Sequence, residues 1–398
     1  MKLAYLMNSF PMTSTTFIRN EIDAHEAAGH EIARYAIRPW EQTLVDPVDI
    51  ADQARTTYLI TAGVGTLVGA TLREMATNPR GVARAARSLF TLARKSGWKL
   101  VHHAAYFMEA VALKQKTTAA GITHIHAHFS TNSAAVALLA HRMGGPKYSF
   151  TVHGPDELLD TGANALSLKV EHADFVAAIT GYCRDFILNA TDPRHGPKVH
   201  IVRCGIRLAD FAEPPAPVSG ANKTLVCVGR LCPQKAQTLL PEAILPLVGD
   251  HPDLRIILIG DGETRPQIEA LVTKAGLQDH FVFAGWKSSK EVLSTIREAR
   301  ALILPSLAEG LPIVIMEALA SQRAVISTRI TGIPELLDET CGWCVTPGQA
   351  DPLTQALREC LESPPEALAE KGRAGRALIE AHHDQSVNAA RLRALITD

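Results

Sequence analysis

Short apolar runs recur along the chain, separated by amphipathic stretches and by breaks marked with glycine or proline. Residues 2–8 read as a buried strand, followed by a polar loop at 9–14 and a helix expected over about 15–28, with Gly29 to stop it. The next strand is expected at 32–37, and others at 122–129, 148–152, 175–179 and 199–202. Most have a helical stretch nearby. Short apolar strands alternating with helices predict a parallel sheet covered on both faces.

The pattern then breaks. Residues 211–220 hold three prolines and a glycine and read as a linker. Beyond it the alternation restarts, with strands expected at 224–228, 255–259, 281–284, 301–304, 324–327 and 342–346. The expected organisation is an α/β chain with two Rossmann-like domains facing across a cleft. The first covers 1–210, the second 221–375, and a last helical stretch, 376–398, returns to the first. Parallel sheets of this kind bind ligands at the carboxyl ends of their strands.

One segment departs from the alternation. Residues 71–116 are rich in Ala and Leu, helical in character, and carry nine basic residues against two acids, a local formal charge of +7. The whole chain of 398 residues has a formal net charge of −1. That gives no support to a nucleic-acid-binding role, so the basic segment is either a solvated helical face or a surface for anionic lipid or an acidic glycan. The uncharged run 56–72 holds many Thr and Gly and is shorter than the roughly 20 apolar residues of a spanning helix. The chain's opening reaches polar residues too soon for a secretory signal. Seven scattered cysteines fit reduced thiols, and Cys341-Gly-Trp-Cys344 reads as a turn leading into a strand. The expected location is cytoplasmic, with peripheral contact at the inner face of the membrane.

Three segments after expected strands carry candidate chemistry. In Leu304-Pro-Ser-Leu-Ala-Glu-Gly-Leu-Pro-Ile-Val-Ile-Met-Glu-Ala318 a strand gives way to a loop with Glu309 and Gly310. A helix is then expected to begin near Pro312, a residue suited to the first helical position. Amides at the start of that helix, around Gly310, Leu311 and Pro312, can hold phosphate oxygens or sugar hydroxyls. Glu309 and Glu317 can accept hydrogen bonds from sugar and ribose hydroxyls. In Val228-Gly-Arg-Leu-Cys-Pro-Gln-Lys235, Arg230 and Lys235 leave one strand end together, and two cations there suit a diphosphate. Ile259-Gly-Asp-Gly-Glu263 reads as an ordinary glycine turn. His124, His126 and His128 alternate along one strand and share a face, as strand-end histidines near a ligand rather than as a metal triad.

Together these motifs resemble the large retaining glycosyltransferase family of GT-B architecture often called family 4. Its Gly-Arg-Leu…Lys-like segment stands here as Gly229-Arg230-Leu231…Lys235, and its Glu-x7-Glu motif as Glu309…Glu317. The likeness spans most of the chain and is strong over 224–348. In the first half, residues 9–22, His126-Ala-His-Phe129 and Phe150-Thr-Val-His-Gly-Pro-Asp156 resemble the exopolysaccharide branch, including colanic-acid-type enzymes. The resemblance implies that Ser14 and Thr16 face the donor phosphates and that His153 lies beside the reacting sugar. Two positions depart from these patterns: Thr15 stands where the branch usually has Glu, and Gly205-Ile206-Arg207 replaces the family's Gly-Val-Asp.

The expected activity is retaining transfer of a sugar from a nucleotide-diphospho-sugar to the hydroxyl of a glycan or lipid-linked acceptor. His153 and Glu309 would act at the reacting sugar. Ser14, Thr16, Arg230, Lys235, Gly310, Leu311, Pro312 and Glu317 would bind the donor. No Asp-x-Asp occurs, so no metal is expected, and no cofactor beyond the donor, which is a substrate. Loops around Trp286 and Leu311 are expected to select it. The rival readings are a nucleotide-sugar epimerase or phosphorylase on the same fold, and a non-catalytic sugar-nucleotide-binding subunit.

Overall fold

Eight residues, Lys2–Ser9, form the first strand, and its five central side chains are all buried. A strand covered on both faces reads as a continuous apolar run rather than an alternating one. The computed structural model describes residues 1–12, 15–41, 44, 46–213 and 217–397. Two units emerge: Met1–Arg203 with Ser386–Asp398, and Cys204–Gln385.

Among the described residues, the first unit has seven strands: β1 (Lys2–Ser9), β2 (Glu31–Arg38), β3 (Thr56–Tyr58), β4 (His124–His128), β5 (Lys147–Val152), β6 (Val176–Ala178) and β7 (Val199–Ile201). All pair in parallel, in the order β3-β2-β1-β4-β5-β6-β7. The uncharged run 56–72 resolves into β3, a short turn and the start of the helix Val64–Thr77. That helix and two more, Pro79–Lys95 and Leu100–Ala119, make up the basic segment. Asn78 starts the second of them, its side chain accepting from the Gly81 amide with Pro79 at the first helical position.

The second unit has six described strands: β8 (Thr224–Val228), β9 (Arg255–Ile259), β10 (Phe281–Gly285), β11 (Ala301–Leu304), β12 (Ala324–Thr328) and β13 (Gly342–Val345). They too are all parallel, in the order β10-β9-β8-β11-β12-β13. Leu225, Ile256, Leu258, Ile303 and Ile326 build the core with Leu353 and Leu357. Arg300 is buried too, its guanidinium donating to the carbonyls of Ser219, Asn222, Cys360, Leu361 and Ser363.

The proline-bearing stretch 211–220 lies within the second unit, and the chain leaves the first unit at 203/204. Residues 214–216 of that stretch lie outside the described residues. Gly205 follows the crossing, where Ile206 bridges to Asp384. A Cβ at 205 would stand 2.6 Å from the Gln385 nitrogen, which leaves room only for glycine. The last helix, Gln385–Thr397, brings Leu392 and Ile396 against Phe175, Ala177 and Val202 of the first unit.

In each sheet the strand order reverses once, between β1 and β4 and between β8 and β11. These are the switch points, where loops diverge to opposite faces and leave a crevice at the carboxyl ends. The loop after β9 supports the one after β8. Gly229 N–H donates to Ile259 O (2.9 Å), Leu231 N–H to Asp261 O (3.0 Å) and Thr264 N–H to Leu231 O (3.1 Å). Gly260 and Gly262 hold φ of +130° and +155°, and a Cβ on them would fall 2.1 Å from Gly229 O and 2.3 Å from Leu231 O. What reads as an ordinary turn in sequence is thus the platform of the Gly229–Lys235 segment. Gly260→Ala should destabilise the second unit by about 2 kcal/mol or more, seen as a lower denaturant midpoint. An unchanged midpoint would mean that the loop tolerates a side chain there.

Candidate functional site

At the β8/β11 switch point, Lys235 Nζ donates to Glu309 Oε1 at 2.6 Å, and Ser306 Oγ donates to the same oxygen at 2.6 Å. The pair is largely withdrawn from solvent, with side-chain exposures of 23% and 9%. Backbone bonds fix both partners. The amides of Leu307 and Ala308 donate to Gln234 O (2.7 and 3.3 Å), and Thr331 Oγ1 donates to Glu309 O. Thr331 is held at φ +43°, an unfavourable conformation for a β-branched residue. Arg230 heads the same segment from an exposed position, its carbonyl accepting from Gln237 Nε2 at 3.0 Å.

The helix after Glu309 spans Ile313–Ala320. Pro312 is its N-cap residue rather than its first helical residue, with extended ψ of 116°. Leu311 and Pro312 are buried and Gly310 is half-buried. The first amides of the helix lack intrahelical acceptors by geometry and face the loop that carries Glu309. Glu317 sits one turn in, part-buried, and burial pushes its carboxyl up to about 7. Trp286 follows β10 and is exposed.

The first unit presents histidines at its own switch point. His128 ends β4, His153 follows β5, and His128 Nδ1 lies 2.9 Å from His153 Nε2. Burial pulls His128 down to about 3 and His153 well below the usual imidazole range, so both are neutral near pH 7. Glu21 Oε1 is 3.5 Å from His128 Nε2. A carboxylate there favours the proton on Nε2, so Nδ1 accepts and His153 Nε2–H donates. The rings of Phe17 and Phe129 pack on His153 with centroids at 4.6 and 4.8 Å. Phe129 holds φ +71°.

Two buried charges that sequence reasoning missed fix this arrangement. Glu157 accepts from the amides of His153 (2.6 Å) and Ser130, tying the end of β5 to the loop after β4. Lys169 Nζ donates to Ser130 O (2.5 Å), Thr131 O (3.1 Å) and Asn164 Oδ1 (2.6 Å). Burial pushes the Glu157 carboxyl up and the Lys169 ammonium down, each to about 7. The only sequence signal was a Glu four residues after the His of His-Gly.

Of the expected loop residues, Ser14 lies outside the described residues, and Thr16 opens the helix Thr16–Ala27, half-buried. Thr15 closes a turn, its hydroxyl accepting from Met12 N (3.0 Å) and donating to Met12 O (2.8 Å). Arg207 pairs with Asp210 on the surface at 2.9 Å. Glu21, His126 and His128 offer ligand atoms within 4.8 Å of one another. However, both ring nitrogens of His126 are taken by Ser149 Oγ and Thr151 Oγ1 (2.8 Å each), and Tyr5 O–H donates to Glu21 at 2.6 Å. His128 Nε2, by contrast, has no hydrogen-bond partner among the described residues.

A cavity of about 170 Å³ in the first unit is lined by Ser96, Lys99, His102, Tyr106, Asn132 and Lys169 among others. A more open hollow of about 570 Å³ beside Glu26, Glu31 and Arg55 lies at the amino-terminal end of β2, away from the strand ends that bind ligands in such sheets.

Residues 222–363 match the family described as Glycosyl transferases group 1. An Escherichia coli protein named as the colanic acid biosynthesis glycosyltransferase WcaL is 26% identical over 97% of this chain and 97% of its own. The chain is a glycosyltransferase. The transferase is also similar to the amylovoran biosynthesis glycosyltransferase AmsK of Erwinia amylovora, 23% identical over 90% of each chain. Solved structures share its fold. The Anabaena HepE structure in complex with UDP has a TM-score of 0.73 at 16% identity, covering 100% of both chains. Sucrose-phosphate synthase of Thermosynechococcus elongatus has 0.76 at 18% identity, covering 100% of this chain and 98% of that one.

Glu317 generates a pH test. Its folded-state pKa of about 7 lies above the ordinary 4.5, so ionisation favours the unfolded chain. It has no effect while both states are protonated; above that it lowers stability as pH rises towards about 7, and the loss then stays constant. Glu317→Gln should therefore stabilise the transferase at pH 8 by up to about 3 kcal/mol relative to its effect at pH 4. Urea titrations of both proteins at the two pH values measure this, and a pH-independent difference would contradict it.

Proposed function

We propose that the transferase moves a sugar, with retention at the anomeric carbon, from a nucleotide-diphospho-sugar to the hydroxyl of a glycan or lipid-linked acceptor in exopolysaccharide or lipid-linked glycan synthesis. The observation that carries this reading is the Lys235–Glu309 pair at the β8/β11 switch point, with Arg230 and the start of the helix Ile313–Ala320 beside it. In the proposed reaction the bond from the anomeric carbon to the diphosphate breaks and a bond to the acceptor oxygen forms. The acceptor proton leaves with the nucleoside diphosphate. Negative charge grows on the departing phosphate, and Arg230, Lys235 and the amides around Gly310, Leu311 and Pro312 stabilise it without a metal ion. Glu309 takes sugar hydroxyls near the reacting carbon, and Glu317 takes the ribose. The resemblance further implies a role for His153 at the sugar and for Ser14 and Thr16 at the phosphates.

The names of relatives support the substrate class. Besides the polysaccharide enzymes, a Mycolicibacterium smegmatis protein named as a GDP-mannose-dependent phosphatidylinositol monomannoside mannosyltransferase is 27% identical over 71% of this chain and 80% of its own. The positive segment 71–116 adds an electrostatic contact with anionic lipid where such an acceptor would reside.

Steady-state kinetics separate the roles. A contact equal in ground and transition states changes KM, and one that strengthens with developing charge changes kcat. Glu317→Ala should mainly raise the donor KM, while Glu309→Gln and His153→Ala should mainly lower kcat. Dialysis against EDTA should leave the wild-type rate unchanged. Full kcat in Glu309→Gln with kcat lost in Glu317→Ala would reverse the donor's orientation, and loss of activity restored by Mn²⁺ would refute the metal-free mechanism.

A further inference from the structure

The helix Val64–Thr77 is inverted. Its inward face carries Leu67 and Glu74, with Glu74 ion-paired to Lys114 and accepting from Asn78 Nδ2 at 2.7 Å. Its solvent face carries Val64, Val68, Leu72 and Met75, a stripe at helical spacing, with Val64 and Leu72 at 72% and 61% exposure. A soluble helix places these the other way round. A second exposed apolar group lies at the turn between the next two helices. Phe90 packs edge-on against Trp98 (5.3 Å between centroids), and Leu100 and Val101 are exposed beside them. Clustered exposed apolar side chains of this kind mark contact surfaces.

The charge around these groups identifies what they contact. Every basic residue of 71–116 except Lys114 is exposed, while both acids, Glu74 and Glu109, are buried. The segment's exposed charge is therefore wholly positive. A second copy of the chain would set one positive face on another in an isologous contact, which charge repulsion opposes. A nucleic acid would match the charge and leave the aliphatic stripe without a partner. An anionic bilayer matches both, with headgroups for the cations and the acyl boundary for the apolar side chains.

We propose that the Val64–Met75 stripe and the Trp98–Val101 turn insert into the interface of an anionic bilayer. This deepens the electrostatic membrane contact proposed above by naming the inserting face, and salt separates the two terms. The cavity lined by Ser96, Lys99 and His102 shares this turn, so a membrane-borne acceptor would reach it without leaving the surface.

The test is co-sedimentation with vesicles of phosphatidylcholine alone and of an equal mixture with phosphatidylglycerol, at low and high salt, with neither donor nor acceptor present. Binding is thus read whether or not the protein transfers sugar. Wild type should prefer anionic vesicles and keep part of its binding at high salt, because apolar insertion is not screened. Val68→Asp with Leu72→Asp, both at exposed positions, should weaken binding about tenfold or more at both salt levels. Circular dichroism and nucleoside diphosphate affinity should be unchanged. Arg80→Glu with Arg87→Glu should lose the preference for anionic lipid. Complete release of wild type at high salt, or wild-type binding by the Asp variant, would overturn the insertion and leave at most a solvated basic face. Concentration-dependent dimers abolished by the Asp variant, with no vesicle binding, would overturn it in favour of a second copy.

Discussion

The ion pair between Lys235 and Glu309 is the interaction on which the second unit's site rests. It joins the loops that leave β8 and β11 at the point where the sheet reverses its order, and a single oxygen of Glu309 receives both the Lys235 ammonium and the Ser306 hydroxyl. A part-buried charge without a partner is costly, so each residue holds the other in place. The same condition governs the proposed chemistry. A diphospho-sugar would offer its phosphates to Lys235 and its hydroxyls to Glu309, so one ligand would replace both halves of the pair and leave neither charge uncompensated. The Gly260–Gly262 loop beneath keeps Arg230 and Lys235 at the strand end while that exchange takes place.

The first unit solves a related problem with neutral groups. His128 and His153 are desolvated, uncharged and hydrogen-bonded to each other, and His126 beside them bonds the hydroxyls of Ser149 and Thr151. In this low-dielectric setting each of these bonds is strong, while His128 Nε2 has only the Glu21 carboxylate at 3.5 Å. Glu157 and Lys169 supply the rigidity by binding backbone amides and carbonyls rather than solvent. The position of His153 is thus set by a carboxylate four residues later and an ammonium sixteen residues later.

Much of this was legible in the sequence because strands buried on both faces are continuous apolar runs. All the expected strands form, within a residue or two for most of them. β3 was missed because three residues, Thr56–Tyr58, at a sheet edge carry no apolar run. Lys235 and Glu309 were legible as chemistry, each following a strand, but their pairing was not. They lie far apart in sequence, and only the adjacency of β8 and β11 brings them together. The platform role of Gly260 and Gly262 was invisible for the same reason, since close backbone approach leaves no periodic signal. The inverted helix was legible only as charge: the apolar stripe of Val64–Thr77 shows one-sided spacing, but which side faces solvent depends on Lys114 reaching Glu74 from another helix.

The most direct test of the central claim is a double-mutant cycle on nucleoside diphosphate binding, with Lys235→Ala, Glu309→Gln and the double variant titrated calorimetrically with UDP and with GDP. If Glu309 holds Lys235 ready for phosphate, Lys235→Ala should weaken binding of the preferred nucleotide by about ten- to a hundredfold. Glu309→Gln should weaken it by a smaller factor, and the double variant should match Lys235→Ala alone. Wild-type affinity in Lys235→Ala, or an additive loss in the double variant, would contradict the account.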